Sequence, residues 1–196
     1  MSADHADLFR QVAATMTAAA GSSLPAQIEQ TVALVDAAFV AGGKLLVFGN
    51  GGSSADAQHL VAELVGRFAV ARGPLPAIAL TTNQALLTAW SNDDSFDDVF
   101  SRQVAALGAA GDVAMGISTS GTSRNVVNGL AAARARGLKT VGLTGSSGGA
   151  LADHCDIVLC VPVAETARVQ EVHLVTYHAI CAALERCLLA RTRQPA

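Results

Sequence analysis

Five short apolar runs, separated by stretches of helical character, constrain the fold of this chain more than any other feature. The runs lie at 44–49, 76–80, 112–118, 139–145 and 156–161. Strands that are apolar on both faces and are spaced by helices form a parallel sheet covered on both sides. We therefore expect an α/β three-layer sandwich with a five-stranded, flavodoxin-like parallel sheet and right-handed crossovers.

The remaining segments are predicted to be helical. Two alanine-rich helices are expected over about 5–20 and 25–41, with Pro25 in the first turn of the second. A long helix is expected over about 166–190. In sheets of this kind the ligand lies beyond the carboxyl ends of the strands. The loops predicted at that edge start at Gly49, Thr81, Ser118, Thr144 and Pro162.

Length and composition favour one domain and exclude several classes of protein. No linker divides the 196 residues, so we expect a single domain over 1–196, with helices over 1–42 for packing or oligomerisation and an α/β core over 43–196. A hydrophobic content of 51% against 15% charged residues favours burial on many faces, including subunit contacts. A net charge of −3 without a basic run argues against nucleic-acid binding.

The sequence also favours a cytoplasmic location. It has no unbroken apolar run near the length of a membrane span, and the N-terminal residues carry acids rather than the basic start of a signal peptide. The four cysteines form no CxxC pair, which is typical of reduced thiols in a cytoplasmic protein.

A glycine-rich turn follows the first predicted strand, at 49–54. It is not a P-loop, because no lysine follows until Lys139. It is a poor dinucleotide fingerprint, because Ser54 takes the place of the third glycine and the next strand ends without an acid. Two alternatives remain: an anion-binding loop of small residues, or a tight turn in which Ser53 or Ser54 caps the helix.

A hydroxyl-rich loop follows the third predicted strand. Five hydroxyl side chains crowd this strand end: Ser118, Thr119, Ser120, Thr122 and Ser123. Hydroxyls and backbone amides at a helix N-terminus can hold a phosphate without a cationic side chain. A polar turn with one cap needs fewer hydroxyls, so the loop favours phosphate binding.

Two predicted helices carry polar side chains on apolar faces. His59 and Glu63 are four residues apart and share a helix face, where they form an exposed pair, a base near a cavity or two metal ligands. Gln170, His173 and His178 lie on one flank of the last helix, as core histidines or as functional groups, whereas Glu171 points elsewhere.

The acidic segment 91–98 has two interpretations. Asp93 or Asp94 could accept hydrogen bonds from sugar hydroxyls. The residues alone favour capping of a helix that begins near Phe96, by Ser95 or Asp94.

Taken together and in order, these motifs resemble those of the sugar isomerase (SIS) domain family, and most closely its phosphoheptose isomerases. The resemblance covers nearly the whole chain and rests on GNGGSSADAQH, SNDDSFDDVFSRQV, GDVAMGISTSGTSRNV, VGLTGSSGG and RVQEVHLVTYH. It implies an isomerase that converts sedoheptulose 7-phosphate to D-glycero-D-manno-heptose 7-phosphate. It also implies a homotetramer with active sites between subunits.

The resemblance also implies roles for individual residues. Glu63 and His178 would be the acid/base pair, and Glu63 and Gln170 would also touch the substrate. The phosphate would be held by Ser53, Ser118, Thr119, Ser120 and Ser123. The sugar would contact Asn50, Gly51, Gly52, Asn92 and Asp93. Family members that bind zinc use the positions of His59, Glu63, Gln170 and His178.

One departure and one alternative accompany the resemblance. Some relatives have an Asp beside the substrate where this chain has Ala167, which removes one expected sugar contact. SIS domains also serve as phosphosugar sensors, and one replication-initiator-associated homologue has lost the catalytic Glu and His. Both Glu63 and His178 are present here, which favours the isomerase over a binding-only regulator.

Overall fold

A five-stranded parallel sheet forms the centre of the computed structural model, which describes residues 5–192. Its strands are β1 (Leu45–Gly49), β2 (Ala77–Ala79), β3 (Val113–Ser118), β4 (Lys139–Thr144) and β5 (Ile157–Cys160). They are arranged in the order β2-β1-β3-β4-β5, with Leu46 of β1 opposite Ile78 and Ala114. This is the flavodoxin-like order, so the predicted fold class and all five predicted strands are confirmed.

Seven α-helices surround the sheet within the described residues. They are α1 (His5–Ala20), α2 (Leu24–Val40), α3 (Gly52–Val65), α4 (Gln84–Asp93), α5 (Val99–Leu107), α6 (Arg124–Ala135) and α7 (Thr166–Thr192). Short 3₁₀ segments lie at Phe96–Asp98 and Ala150–His154. Pro25 lies in the first turn of α2, as predicted, where its missing N–H leaves no helical bond unmade.

The core occupies both faces of the sheet because successive strand residues point to opposite sides. On one face Leu45 and Val47 pack among apolar residues of α2, α3 and α7. On the other face Leu46 and Phe48 pack among residues of α5 and α6. All four side chains are fully buried. The result is the predicted three-layer sandwich.

The C-terminal helix α7 contributes to the first of these two layers. Among the helices within residues 5–192 it alone is long and apolar enough to cross a membrane, judged by length and composition. Half of its apolar window is nevertheless buried inside the fold, where Val169, Val172 and Ile180 pack in the core. A core helix passes the same test, so α7 is weak evidence for a membrane span.

The strand order places a crevice between β1 and β3. The chain leaves β1 toward β2 on one side and later returns to β3 on the other, so the loops after these two strands diverge from a common edge. Ligands of open α/β sheets bind at such a switch point. Both candidate loops from the sequence, at 49–54 and 118–123, lie there.

Candidate active site

The loop after β1 is held in a conformation that requires glycine. Gly51 has φ = +55°, a region that residues with a side chain rarely adopt, and it precedes the first residue of α3. Its carbonyl accepts the N–H groups of Ser54 (3.0 Å) and Ala55 (3.2 Å). Of the two alternatives left open for this turn, the serine cap is wrong: α3 begins at Gly52 with Gly51 as its N-cap residue, so Ser53 and Ser54 lie inside its first turn.

A pair of asparagines joins the two loops of the crevice. Asn50 and Asn125 exchange two side-chain hydrogen bonds, of 2.8 Å and 2.9 Å between amide nitrogen and oxygen. Asn125 is buried in the first turn of α6. Asn125 was not identified from the sequence, because a single asparagine beside a polar loop does not indicate a partner 75 positions away.

The hydroxyl-rich loop after β3 forms one connected cluster. The Oγ atoms of Ser118 and Ser123 are 3.0 Å apart, and Ser120 Oγ lies 3.0 Å from Thr122 Oγ1. Ser123 is the N-cap residue of α6, but its side chain makes no capping hydrogen bond. These hydroxyls therefore face one another at a helix N-terminus, an arrangement that suits an anion.

A second glycine-rich loop, which follows β4, forms hydrogen bonds with the backbone of this cluster. Gly145 donates its N–H to the Thr119 carbonyl (3.0 Å), and Leu151 donates to the Gly121 carbonyl (2.9 Å). Gly121 has φ = +69°, and a Cβ on it would collide with the backbone of Gly148. The backbone of the hydroxyl-rich loop is thus fixed by contacts that only glycines permit.

Three potential ligand atoms converge between α3 and α7. His59 Nε2 lies 3.0 Å from Glu63 Oε1, the helical neighbour predicted from the sequence. One ligand atom each of His59, Glu63 and His178 lies within 4.8 Å of the other two. The His59 and His178 rings meet edge to face with centroids 5.0 Å apart. Glu63 and His178 thus lie close together within one chain.

The environment of His178 favours its neutral form. Burial lowers its pKa, the nearby His59 lowers it further, and Glu63 acts in the opposite direction. Phe68 packs on the ring with centroids 5.3 Å apart. The Nε2 atom of His178 is buried and has no hydrogen-bond partner among the described residues. A neutral, unpartnered ring nitrogen of this kind is suited to hold a metal or to exchange a proton.

Tyr177 and Asp56 surround the other side of His59. The Tyr177 hydroxyl lies 2.9 Å from His59 Nδ1 and 3.5 Å from Asp56 Oδ1. Burial raises the pKa of Asp56, and it raises the pKa of Tyr177 with the help of that carboxylate. Neither residue was identified from the sequence, because Tyr177 has the position of a core aromatic.

Gln170 and His173, both on α7, have different surroundings. The side chain of Gln170 lies directly against Gly52, at the start of α3. His173 is fully buried, and its Nε2 lies 3.4 Å from the carbonyl oxygen of Thr144. Of the two alternatives left open for His173, the structure therefore favours the core histidine, because the ring is buried next to β4. Burial lowers its pKa to about 4.

Comparison with known proteins decides the family. The SIS domain family model matches residues 8–145. The phosphoheptose isomerase of Roseiflexus sp. is 57% identical over 150 residues, 76% of each chain, and that of Rhodospirillum rubrum is 46% identical over 185 residues, 94% of this chain and 98% of the relative. This chain belongs to the phosphoheptose isomerase family of SIS-domain proteins.

Solved structures of that family have the same fold. The phosphoheptose isomerase GmhA of Neisseria gonorrhoeae is 42% identical and superposes with a TM-score of 0.87, covering 92% of this chain and 96% of that one. The Francisella tularensis phosphoheptose isomerase is 37% identical with a TM-score of 0.90, covering 95% and 99%. The Vibrio vulnificus NanR protein, complexed with ManNAc-6P, is 19% identical with a TM-score of 0.67 and shares the fold alone.

The acidic segment of this family member caps its own helix, as the residues indicated. Ser95 accepts a hydrogen bond from the Asp97 N–H (3.1 Å) at the start of the 3₁₀ segment. Asn92 and Asp93 lie exposed at the end of α4, where their side chains form a 2.8 Å hydrogen bond with each other. Their contact with a sugar stays a prediction, as does the effect of Ala167, which is exposed at the start of α7.

An ion pair that the sequence did not reveal fixes the end of α3. Arg72 donates to the backbone carbonyls of Glu63 (2.6 Å) and Leu64 (2.7 Å) and pairs with Glu185 (3.3 Å). The Glu185 carboxylate also accepts backbone N–H groups of residues 68–70. Burial opposes the charge of Glu185, but these hydrogen bonds and Arg72 hold its pKa below the usual range. The pair thus anchors the backbone that carries Glu63.

Proposed function

We propose that this chain converts sedoheptulose 7-phosphate to D-glycero-D-manno-heptose 7-phosphate, the first step in making activated heptoses. The observation that carries the proposal is the convergence of Glu63 and His178 between α3 and α7. It is supported by membership of the phosphoheptose isomerase family over most of the chain.

In this proposal the phosphate is the handle by which the sugar is held. The phosphate ligands are the hydroxyl and backbone groups of Ser53, Ser118, Thr119, Ser120 and Ser123. The linked Oγ atoms of Ser118 and Ser123, 3.0 Å apart, support a cradle that is formed before the substrate arrives. The sugar lies along Asn50, Gly51 and Gly52, with Asn92, Asp93 and Gln170 as further contacts.

The chemistry takes place at the other end of the sugar. Exchange of a ketose and an aldose moves a proton between C1 and C2 through an enediol or enediolate. We assign Glu63 to remove and return the carbon-bound proton. His178, whose lowered pKa keeps the imidazole neutral near pH 7, accepts and donates the protons of the two oxygens. The two side chains start close enough to act on adjacent atoms of one substrate.

The same side chains fit a zinc ion, and we propose one per subunit. A carboxylate or imidazole bound tightly to zinc is a poorer base, so both roles of Glu63 and His178 require ligands that are held loosely. His59, Glu63 and His178 offer two imidazole nitrogens and a carboxylate oxygen within 4.8 Å, a donor set typical of zinc. The buried, unpartnered Nε2 of His178 supports this fit. Gln170 is the proposed fourth ligand. A bound zinc would polarise the carbonyl oxygen of the substrate.

The assembly is proposed to be a cytoplasmic homotetramer. Several large apolar side chains are exposed on α1 and α7, among them Phe9 (74%), Val175 (52%) and Leu174 (38%), and such surfaces suit subunit contacts. The mass of the purified protein by light scattering should equal four chains. A monomer would contradict the proposal, because these side chains would then remain in water.

The function is tested by incubating the purified protein with sedoheptulose 7-phosphate and following both sugars by NMR, with metal analysis of the same sample. We expect the aldose product to appear and zinc to be present at about one ion per chain. A protein that binds the sugar phosphate, shown by protection against thermal unfolding, but forms no aldose would instead support a binding-only regulator.

A further inference from the structure

We infer that Tyr177 is a positioning residue that links Asp56 to His59 and leaves His59 Nε2 free for a metal. The inference rests on the proposed zinc site and extends it to residues that contact a proposed zinc ligand and not the zinc itself. It follows from the geometry around His59, which has a different partner at each ring nitrogen: Glu63 at Nε2 and Tyr177 at Nδ1.

The position of Tyr177 is fixed by packing. Its side chain is 1% exposed, and its ring meets the rings of His59 and His178 edge to face, with centroids 5.4 Å and 5.0 Å apart. Because the ring is held on these sides, the hydroxyl is aimed at Nδ1 of His59 (2.9 Å) and at Oδ1 of Asp56 (3.5 Å).

The direction of the hydrogen bonds depends on which ring nitrogen of His59 carries the proton. A phenol has one proton to donate, and an ionised carboxylate can only accept. Asp56 Oδ2 is already buried without a partner, so a tyrosine that turned its proton away would leave Oδ1 without that donor as well. With a metal on Nε2 the His59 proton lies on Nδ1, so Nδ1 donates to the Tyr177 oxygen and Tyr177 donates to Asp56. Without a metal, Tyr177 can instead donate to Nδ1 while Nε2 donates to Glu63.

This chain of hydrogen bonds determines whether the other ring nitrogen of His59, Nε2, carries a proton or a lone pair. With the proton on Nδ1, Nε2 carries a lone pair that faces Glu63 Oε1 at 3.0 Å. Two acceptors at that distance repel unless a cation lies close to both, so a bound metal ion would stabilise this tautomer. Histidine ligands commonly donate their second ring N–H to a carboxylate or another acceptor, which fixes the ring and raises its basicity. Here Tyr177 lies between the imidazole of His59 and the carboxylate of Asp56.

The competing explanation is that Tyr177 is only a core side chain. In that case the buried ring would matter and the hydroxyl would not, and phenylalanine would serve equally well. The variant Tyr177→Phe separates the two explanations because it keeps the ring and removes the oxygen. Its matched control is Thr31→Val, which removes a fully buried hydroxyl of α2 whose one hydrogen bond within residues 5–192 is to the Gln27 carbonyl (2.9 Å).

The first measurement is the zinc dissociation constant, determined by competition with a chelator for the whole purified protein. Loss of a second-layer partner weakens metal binding by about 10- to 100-fold, so we expect that decrease for Tyr177→Phe and none for Thr31→Val. The thermal midpoint of the zinc-free Tyr177→Phe protein is measured alongside, to show that it is folded. Wild-type zinc affinity in a folded Tyr177→Phe protein would overturn the inference.

The second measurement tests whether Asp56 acts through Tyr177. Asp56→Asn alone should weaken zinc binding, and adding Tyr177→Phe should weaken it little further, because the two residues belong to one chain of hydrogen bonds. Fully additive losses would show that they act separately and would overturn the proposed link.

A spectroscopic readout makes the outcome independent of turnover. Tyr177 is the only tyrosine in the sequence, so a near-ultraviolet tyrosine difference signal on zinc titration reports on this hydroxyl alone. If the wild-type protein binds no zinc, the metal assignment fails and this inference fails with it. If the protein binds zinc with the expected losses but forms no aldose, the proposed reaction fails while the role of Tyr177 stands.

Discussion

Gly52, the first residue of α3, has no room for a side chain because Gln170 of α7 lies directly against it. We expect Gly52→Ala to fold but to lose at least about 10-fold in kcat/KM, because a misplaced positioning group affects reaction geometry more than stability. The measurement is steady-state isomerase kinetics together with a thermal melt.

Gly73→Ala is the matched control for that substitution. A Cβ on Gly73 would meet no atom within 4 Å, and its φ is not in the positive range. It should therefore retain wild-type kinetics. Equal kinetics in both alanine variants would show that the contact between residues 52 and 170 has no role in the reaction.

Residues that act within one helix were predictable, and residues that act across the fold were not. The pairing of His59 with Glu63 follows from a spacing of four, which any regular helix brings to one face. Tyr177 and Asn125 make their contacts over 118 and 75 positions, and no local pattern encodes such distances. His173 shows the converse: its neighbours on the helix suggested function, but tertiary packing placed it in the core.

At the scale of elements, the end of α3 depends on the buried pair of Arg72 and Glu185. The two side chains are 1% and 5% exposed, and Arg72 also holds the last carbonyls of the helix. Removing one partner of a buried pair costs about 3–5 kcal/mol, because the other charge is left uncompensated. We expect a loss of that size in the unfolding free energy of Arg72→Ala, measured by urea denaturation.

An exposed ion pair provides the comparison for this loss. Lys139 and Asp156 are 61% and 36% exposed and lie 3.4 Å apart. Lys139→Ala should therefore cost less than about 1 kcal/mol in the same assay. Similar losses in both variants would contradict the structural role assigned to the buried pair.

The strands were easier to predict than the helix starts. A strand that is covered on both faces must be apolar throughout, so β1, β3 and β4 were visible in composition alone. The start of α3 was left open between an anion loop and a serine cap, and the structure instead uses Gly51 in a positive-φ conformation as the N-cap residue. Such caps leave no side-chain signature beyond the glycine itself.

At the scale of the whole molecule, the core histidine should make stability depend on pH. The pKa of His173 is about 4 in the folded protein against an ordinary 6.5, so the unfolded chain binds the proton more readily. The unfolding free energy is therefore unaffected by His173 above pH 6.5. As the pH falls from 6.5 to about 4, proton binding to His173 in the unfolded chain lowers the unfolding free energy by about 3 kcal/mol in total. His173→Gln should show a shallower decline in unfolding free energy than the wild type across this window. Parallel curves would contradict the assignment.

The fold class as a whole was predictable because alternating strands and helices permit few arrangements. The candidate site was predictable only in part. The position of its loops follows from the rule that ligands bind at the carboxyl edge of the sheet. The contact between α3 and α7 joins residues more than 100 positions apart in the sequence, and no local pattern predicts it. The zinc ligands and the subunit contacts came from the family resemblance and stay proposals.

The measurement that tests the central claim most directly is the turnover of sedoheptulose 7-phosphate by Glu63→Gln and His178→Gln. General acid/base groups contribute about 10²- to 10⁴-fold, so each variant should lose at least about 100-fold in kcat. The substitutions remove the transferable proton and keep polar side chains, and thermal melts would confirm that both proteins are folded. If either folded variant retains near wild-type turnover, Glu63 and His178 are not the acid/base pair.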